Sequence, residues 1–391
     1  MSQSSGLQRR RAPGASDVQN AARDEEEDVP RERGVSGERS TAVLERTSGS
    51  GSVAALDTRS GRRFAYDPRD LSDENEMRTH PRLTLMEELL LLGLKDKQGY
   101  LSFWNDNISY TLRGCLLLEL AFRGRITVAP GADQKRLEVC DRCVEVRSTK
   151  TTGEPLLDET LRVMKSSPSA SIIQWIDMLS GETWNLTKLN LQLKQVRERL
   201  AKGLVDKGVL RTEKRNFLIF DMPTHPIADT SCKDALRRRL YAILLSKSPS
   251  VHPDTFYKEE ASNIGLRVTR SLCMVCAAEC ASVLENTLTH VPYDTRELAL
   301  QHASHLLDEF GQWPMAPDTP CGGIPPRGSV DALIARPVSA KAAKKRTLPR
   351  IGASSAELAR AMRAEYDAGS APAFEVIAGV LHVFNHMEGL L

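Results

Sequence analysis

Apolar positions are distributed unevenly along the chain. Residues 1–78 show neither a helical nor an alternating period. An acidic block (Asp24–Asp28) and a Gly/Ser stretch (Ser48–Ser52) stand there among few aromatic residues. Such a segment cannot bury enough apolar surface to offset chain entropy, so a disordered tail is predicted over 1–78. Patterned sequence begins at PRLTLMEELLLLGLKDKQGYL, where Thr84 and Glu87 have capping-box spacing and Gly93 suits a helix C-terminus. A second helix is predicted over Ile108–Arg123. Leu112, Leu116 and Leu120 recur every fourth residue in it, Cys115 and Leu117 lie alongside, and Gly124 ends it. Arg113 and Glu119 are its charged exceptions. Residues 125–147 alternate (RITVAP, then KRLEVCDRCVEV), as a short hairpin would.

Helical spacing returns at Glu159, with breaks at Ser166–Ser169 and Ser180–Gly181. The clearest helix is predicted over Leu186–Val205, with Leu189, Leu193, Val196, Leu200 and Leu204 on one face. After Gly208 the period changes to two (VLRT, EKRN, FLIF), which reads as a hairpin with a charged tip and an apolar second arm. Further helices are predicted near Lys233–Ser246, Ile264–Leu288 and Thr295–Phe310. Residues from 312 to about 372, rich in Pro, Gly and Ala with a basic run Lys341–Arg346, read as an insertion. A last helix, FEVIAGVLHVFNHMEGLL, is apolar enough to require docking into a core. The fold class is therefore mainly α, a single large helical domain over 79–391 with short β-hairpins. Its patterned part, about 250 residues, suffices for one core hiding roughly 75% of the unfolded chain's surface.

Charge narrows the function. The 391 residues include 53 Lys and Arg against 51 Asp and Glu, a formal net charge of +2. Bulk electrostatics therefore drives binding to neither nucleic acid nor membrane, and any such role needs a local patch. The apolar run around Leu89–Leu92 is about half of the ~20 residues of a spanning helix. The opening MSQSSGLQRRR has a basic cluster with no apolar stretch after it, unlike a signal peptide. The 8 cysteines accordingly read as reduced thiols.

Those cysteines include two C-x-x-C pairs, Cys140–Cys143 and Cys273–Cys276. Their separation is far longer than a zinc ribbon uses, and Cys280 continues the second pair at helical spacing. Core packing is the preferred reading over a metal site or an unrecognised metalloenzyme. There is no G-x-S-x-G elbow, Walker loop, H-E-x-x-H motif or nucleotide-binding glycine fingerprint, and His225 in Thr-His-Pro reads as a turn residue. No enzyme, cofactor or metal is expected.

Two constellations remain. Lys194 and Arg197, three apart, flank the Leu189–Leu200 stripe, Arg113 projects from an earlier helix, and Trp104 precedes that helix in SFWND. Such a set fits an anion clamp beside a membrane-interface anchor, or equally a core tryptophan with solvated charges. The hairpin with Arg211, Lys214 and Arg215 after a helix resembles the winged helix of DNA-binding proteins. Alternation in FLIF, however, puts Phe217 and Ile219 on one face with Leu218 and Phe220 on the other, an arm suited to burial rather than to phosphate.

The segments LTLMEELLLLGLKDKQGYLSFWNDNISYTLRGC, LLDETL, WIDMLSGETWN, QLKQVRERLAKGLVDKGVLRTEKRNFLIFDMPTHPIAD and EVIAGVLHVF closely resemble the Golgi phosphoprotein 3 family, in particular its fungal branch, vacuolar protein sorting-associated protein 74. The resemblance implies a mainly helical, peripheral, non-enzymatic protein on the cytosolic face of the Golgi membrane and in the cytosol. It implies binding of phosphatidylinositol 4-phosphate by Trp104, Arg113, Lys194 and Arg197. It further implies retention of glycosyltransferases by linking their cytosolic tails to coatomer (COPI) vesicles. Arg9, Arg10 and Arg11 would contact coatomer, and the hairpin residues Phe217, Leu218, Ile219 and Phe220 would mediate self-association. No nucleic-acid partner is implied. The stretch from 312 to about 372 and the long N-terminal tail depart from the family pattern.

Overall fold

The computed structural model describes residues 43–45, 53–56, 63–66, 80–101, 106–180, 189–217, 220–256, 264–315, 351–365 and 371–387. The chain divides into two units, Met1–Pro68 and Arg69–Leu391. In the first, strands β1 (Val43–Glu45), β2 (Val53–Leu56) and β3 (Arg63–Tyr66) pair antiparallel in that order, with Val43 opposite Leu56 and Val53 opposite Tyr66. These short strands fall within the stretch expected to be a disordered tail, and the rest of that expectation lies outside the described residues.

The second unit is mainly α, as the apolar spacing predicts. Its helices are α1 (Leu85–Gly93), α2 (Asp106–Phe122), α3 (Pro155–Ser166), α4 (Ile172–Ser180), α5 (Val196–Asp206), α6 (Thr230–Leu244), α7 (Arg267–Cys280), α8 (Leu284–Thr287), α9 (Tyr293–Phe310), α10 (Ser355–Ala364) and α11 (Ala371–Asn385). The predicted capping box starts α1. The Glu87 N–H donates to Thr84 Oγ1 at 3.4 Å, and the Thr84 N–H donates to the Glu87 carboxylate at 2.9 Å. Every residue of α1 is buried, because leucines cover all its sides and α2, α5, α6, α7 and α8 pack around it.

The last helix is the other centre of the core. It packs against α2, α4, α7 and α9 and against the turn Val139–Asp141. A Cβ at Gly114 would lie 2.2 Å from the Phe384 ring, so α2 and α11 meet at van der Waals contact only because this position is glycine. Charges buried between these helices are paired. Glu119 accepts from Arg123 at 2.9 Å and from Arg270 at 3.1 Å, and Arg239 pairs with Glu88 while lying 4.2 Å over the Phe256 ring. Removing either member of such a pair strands a charge away from water.

The hairpin predicted over 125–147 forms as β4 (Ile126–Val128) and β5 (Cys143–Val146), with Ile126 opposite Val146. A third strand, β6 (Ala170–Ser171), extends it. The second hairpin is β7 (Glu213–Phe217) with β8 (Phe220–Thr224), Phe217 opposite Phe220, so its turn falls within FLIF and the charged EKRN, expected at the tip, lies in the first strand.

Three expected elements differ. The helix predicted over Leu186–Val205 begins only at Val196, after a 3₁₀ turn Leu189–Leu191 and a left-handed Gln195 (φ 52°). Tertiary hydrogen bonds cause the break: the Leu193 N–H donates to Leu179 O at 3.2 Å, and Leu193 O accepts from Arg113 at 3.4 Å. A continuous helix would have used both groups internally. The helix predicted over Ile264–Leu288 stops at Cys280, where Ser282 turns left-handed (φ 57°) before α8. Within the stretch from 312 to about 372 lies α10, a helix that the apolar spacing does not predict. Leu358, Ala359 and Met362 of α10 are buried, and a capping box of Ser354 and Glu357 starts it.

Candidate functional site

Arg113 lies on α2 among leucines and is 5% exposed, so its guanidinium must find partners inside the protein. Nε donates to Leu179 O at 3.2 Å, Nη1 to Ser109 O at 3.1 Å and Oγ at 2.9 Å, and Nη2 to Leu193 O at 3.4 Å. It therefore ties the C-terminal turn of α4 to the segment that leads into α5.

Lys194 follows Leu193 directly and is exposed. Arg197 sits in the first turn of α5 with its side chain 44% exposed, and shares Glu198 at 2.8 Å. The fold thus brings three of the four predicted pocket residues to one junction. Arg113 is on the buried side, while Lys194 and Arg197 are on the solvent side. The two basic residues are not neighbours on one helix face as spacing alone suggests, because the left-handed Gln195 separates them. Trp104 lies outside the described residues, as do residues 181–188 between α4 and the junction.

Arg197 also reaches a neighbouring cavity of about 300 Å³, lined by Leu90, Leu94, Tyr100, Ala201, Pro223 and His225 among others. The cavity forms where the 94–101 loop meets the base of the β7–β8 hairpin. The His225 N–H donates to Gly99 O at 2.8 Å, and the Ile227 N–H donates to Asp96 O at 3.1 Å. Gly99 (φ 68°) is needed there, because a Cβ would lie 2.2 Å from the Pro226 nitrogen. Burial, with Arg197 adding to it, holds the His225 imidazole below its ordinary range and so favours the neutral ring. In the sequence His225 reads as a turn residue. Its one signal was position, at the end of the hairpin strand that returns towards Arg197.

Of the basic residues that suggest nucleic acid, Arg211 has an acidic partner within the chain. Arg211 pairs with Glu213 at 2.7 Å, and Arg199 with Glu159 at 2.6 Å. Helix α5 docks Val196, Leu200, Ala201 and Leu204 into the core. Its solvent side presents acids and bases together, unlike a recognition helix. Leu218 and Ile219 at the hairpin tip lie outside the described residues, as do Arg9, Arg10, Arg11 and the basic run Lys341–Arg346.

The cysteines divide as packing predicts. Cys115, Cys273 and Cys276 are fully buried, and burial pushes the Cys273 thiol up to about 12. Among the described residues the two C-x-x-C pairs do not converge on one ligand cluster.

The profile of the family described as Golgi phosphoprotein 3 (GPP34) matches residues 85–319. Vacuolar protein sorting-associated protein 74 of Schizosaccharomyces pombe is 45% identical over 331 residues, covering 84% of this chain and 88% of the relative. The Eremothecium gossypii protein of the same name is 43% identical over 349 residues, covering 88% of this chain and 96% of the relative.

Proposed function

The chain belongs to the Golgi phosphoprotein 3 family, and from that premise we propose that it is a peripheral Golgi adaptor that binds phosphatidylinositol 4-phosphate. In this reading it catalyses no reaction and links the cytosolic tails of glycosyltransferases to coatomer. The observation that carries the lipid-binding part is the junction at Leu193. A buried guanidinium fixes that carbonyl, and the next residues outward, Lys194 and Arg197, offer their charges to solvent.

Lys194 and Arg197 take the headgroup phosphates, and Arg113 positions the segment that presents them. Trp104 anchors at the interface between headgroups and acyl chains. The exposed Arg197–Glu198 pair opposes this little, since surface ion pairs contribute only about 0–1 kcal/mol. Among the described residues no helix is long and apolar enough to cross a membrane, which agrees with peripheral attachment. Arg9–Arg11 serve coatomer, and Phe217–Phe220 serve self-association, which multiplies weak lipid contacts through avidity.

Each basic residue near an anionic leaflet is worth about 1 kcal/mol, so removing two weakens binding roughly 30-fold. Co-sedimentation with vesicles containing phosphatidylinositol 4-phosphate, compared with unphosphorylated phosphatidylinositol, measures this. The expected outcome is phosphate-dependent sedimentation of the wild type, lost in Lys194→Ala/Arg197→Ala. Undiminished sedimentation of the double variant would refute the site.

A further inference from the structure

We propose that Glu138, Cys140 and His382 form a site for a divalent transition metal, zinc by ligand chemistry, where the turn Val139–Asp141 meets α11. One ligand atom of each residue lies within 4.8 Å of the other two, although Cys140 and His382 are far apart in sequence. The site is independent of the lipid-binding junction and uses a cysteine that sequence spacing paired with Cys143 instead.

Two close approaches build it. A Cβ at Gly379 would lie 2.3 Å from Ile172 Cδ1 and 2.9 Å from Val139 O, so glycine there lets the turn rest on α11. A Cβ at Gly311 would lie 2.9 Å from Leu307 O and 3.3 Å from the backbone of His382, so glycine also lets the end of α9 approach. The carbonyl of that same Gly311 lies 3.0 Å from His382 Nδ1. A carbonyl only accepts, so Nδ1 carries the hydrogen, and in the neutral ring Nε2 keeps its lone pair. This is the orientation that a metal-ligating histidine takes from a backbone partner. Nε2 lies 3.8 Å from the Glu138 carboxylate. The His386 ring stacks on His382 with centroids 4.4 Å apart, which further fixes the ring plane.

Cys140 is 6% exposed, whereas the Glu138 side chain is 75% exposed. The buried thiol and oriented imidazole are thus the fixed part of the site, and the carboxylate is the part that can swing. Zinc bonds of 2.0–2.3 Å set tetrahedral ligand separations of roughly 3.3–3.8 Å. Separations within the triad, none above 4.8 Å, therefore close by at most about 1.5 Å on binding. A thiolate, an imidazole and one carboxylate suit zinc, whereas calcium and magnesium take oxygen ligands. Binding forms an S–metal bond and releases the thiol proton to solvent, with no change of oxidation state.

Cobalt(II) titration of the full chain, reduced and freed of metal by chelation, tests the site. One equivalent should bind, giving a thiolate-to-cobalt charge-transfer band with tetrahedral visible bands, all removed by added zinc. Cys140→Ser should abolish the charge-transfer band, while Cys143→Ser should keep it. Because Cys140 is buried, Glu138→Gln at the exposed position supplies a variant whose folding is not at stake, and it should bind at least tenfold more weakly. A wild type without the band would overturn the proposal. So would a band that survives Cys140→Ser, or unchanged affinity in Glu138→Gln.

Discussion

Arg113 is a cation that is chemically apt for phosphate, yet it donates to the protein's own carbonyls and to the Ser109 hydroxyl. Removing it would leave the Leu193 carbonyl without this donor, and an unsatisfied buried polar group costs about 1–3 kcal/mol. Arg113→Ala is therefore expected to lower the urea midpoint by an amount matching about 2 kcal/mol or more. Lys194→Ala/Arg197→Ala, at exposed positions, should stay within about 0.5 kcal/mol of wild type. Equal midpoints for the two variants would contradict a positioning role for Arg113. Residue types and spacing made the basic set legible in the sequence. They could not reveal that one member is buried and two are not, since depth depends on α4 and the Leu193 segment closing over α2. Thr84 with Glu87 was fully legible, because both partners of that motif lie within one turn.

Helix ends show the same contrast one level up. At Gly124 (φ 62°) the Arg125 N–H donates back to Leu120 O at 2.8 Å, and at Gly208 (φ 74°) the Val209 N–H donates to Leu204 O at 2.9 Å. Both are glycine stops visible in the sequence. The same geometry recurs after α7, where the Val283 N–H donates to Ala278 O at 2.9 Å, but the left-handed residue is Ser282. Serine gives no such signal, so the sequence reads as one helix running through to Leu288. The left-handed conformation costs a non-glycine residue roughly 1–2 kcal/mol, and glycine's greater freedom when unfolded returns part of that. Ser282→Gly is accordingly expected to stabilise the protein by about 1 kcal/mol in urea unfolding. A loss of stability would mean that the serine hydroxyl is doing more than tolerating the turn. The missing first half of the helix predicted from Leu186 has a different origin. Its leucine spacing is genuine, but contacts with α2 and α4 claim the backbone at Leu193.

Across the whole molecule, buried charge sets the response to acid. Burial, with Arg270 and Arg123 adding to it, holds the His80 imidazole down at about 3. Burial alone would raise the Glu119 carboxyl, but the same two guanidinia outweigh it and keep it at about 2. Below pH 6.5 an unfolded chain protonates His80 while the folded chain does not, so stability falls with pH by up to about 1.4 kcal/mol per unit. Glu119 adds a second loss as pH drops from 4.5 towards 2, because folding holds it ionised. Urea midpoints should therefore decline between pH 7 and 5, and His80→Gln should flatten that decline. An equally steep variant would remove His80 as its source. The mainly helical fold was legible because apolar periodicity is local, and α10 was not, because Pro- and Gly-rich neighbours masked one short amphipathic turn set. Helix α10 also bears on how the molecule is wired. Just beyond it, Glu365 accepts from the Val268 and Thr269 N–H groups at 2.7 and 3.1 Å, capping the start of α7. Met315 and Ala353, on either side of residues 316–350, are both fully buried. The two ends of that stretch are thus soldered into the core independently of what joins them. For a flexible connection between two fixed ends, the cost of closure grows only logarithmically with its length.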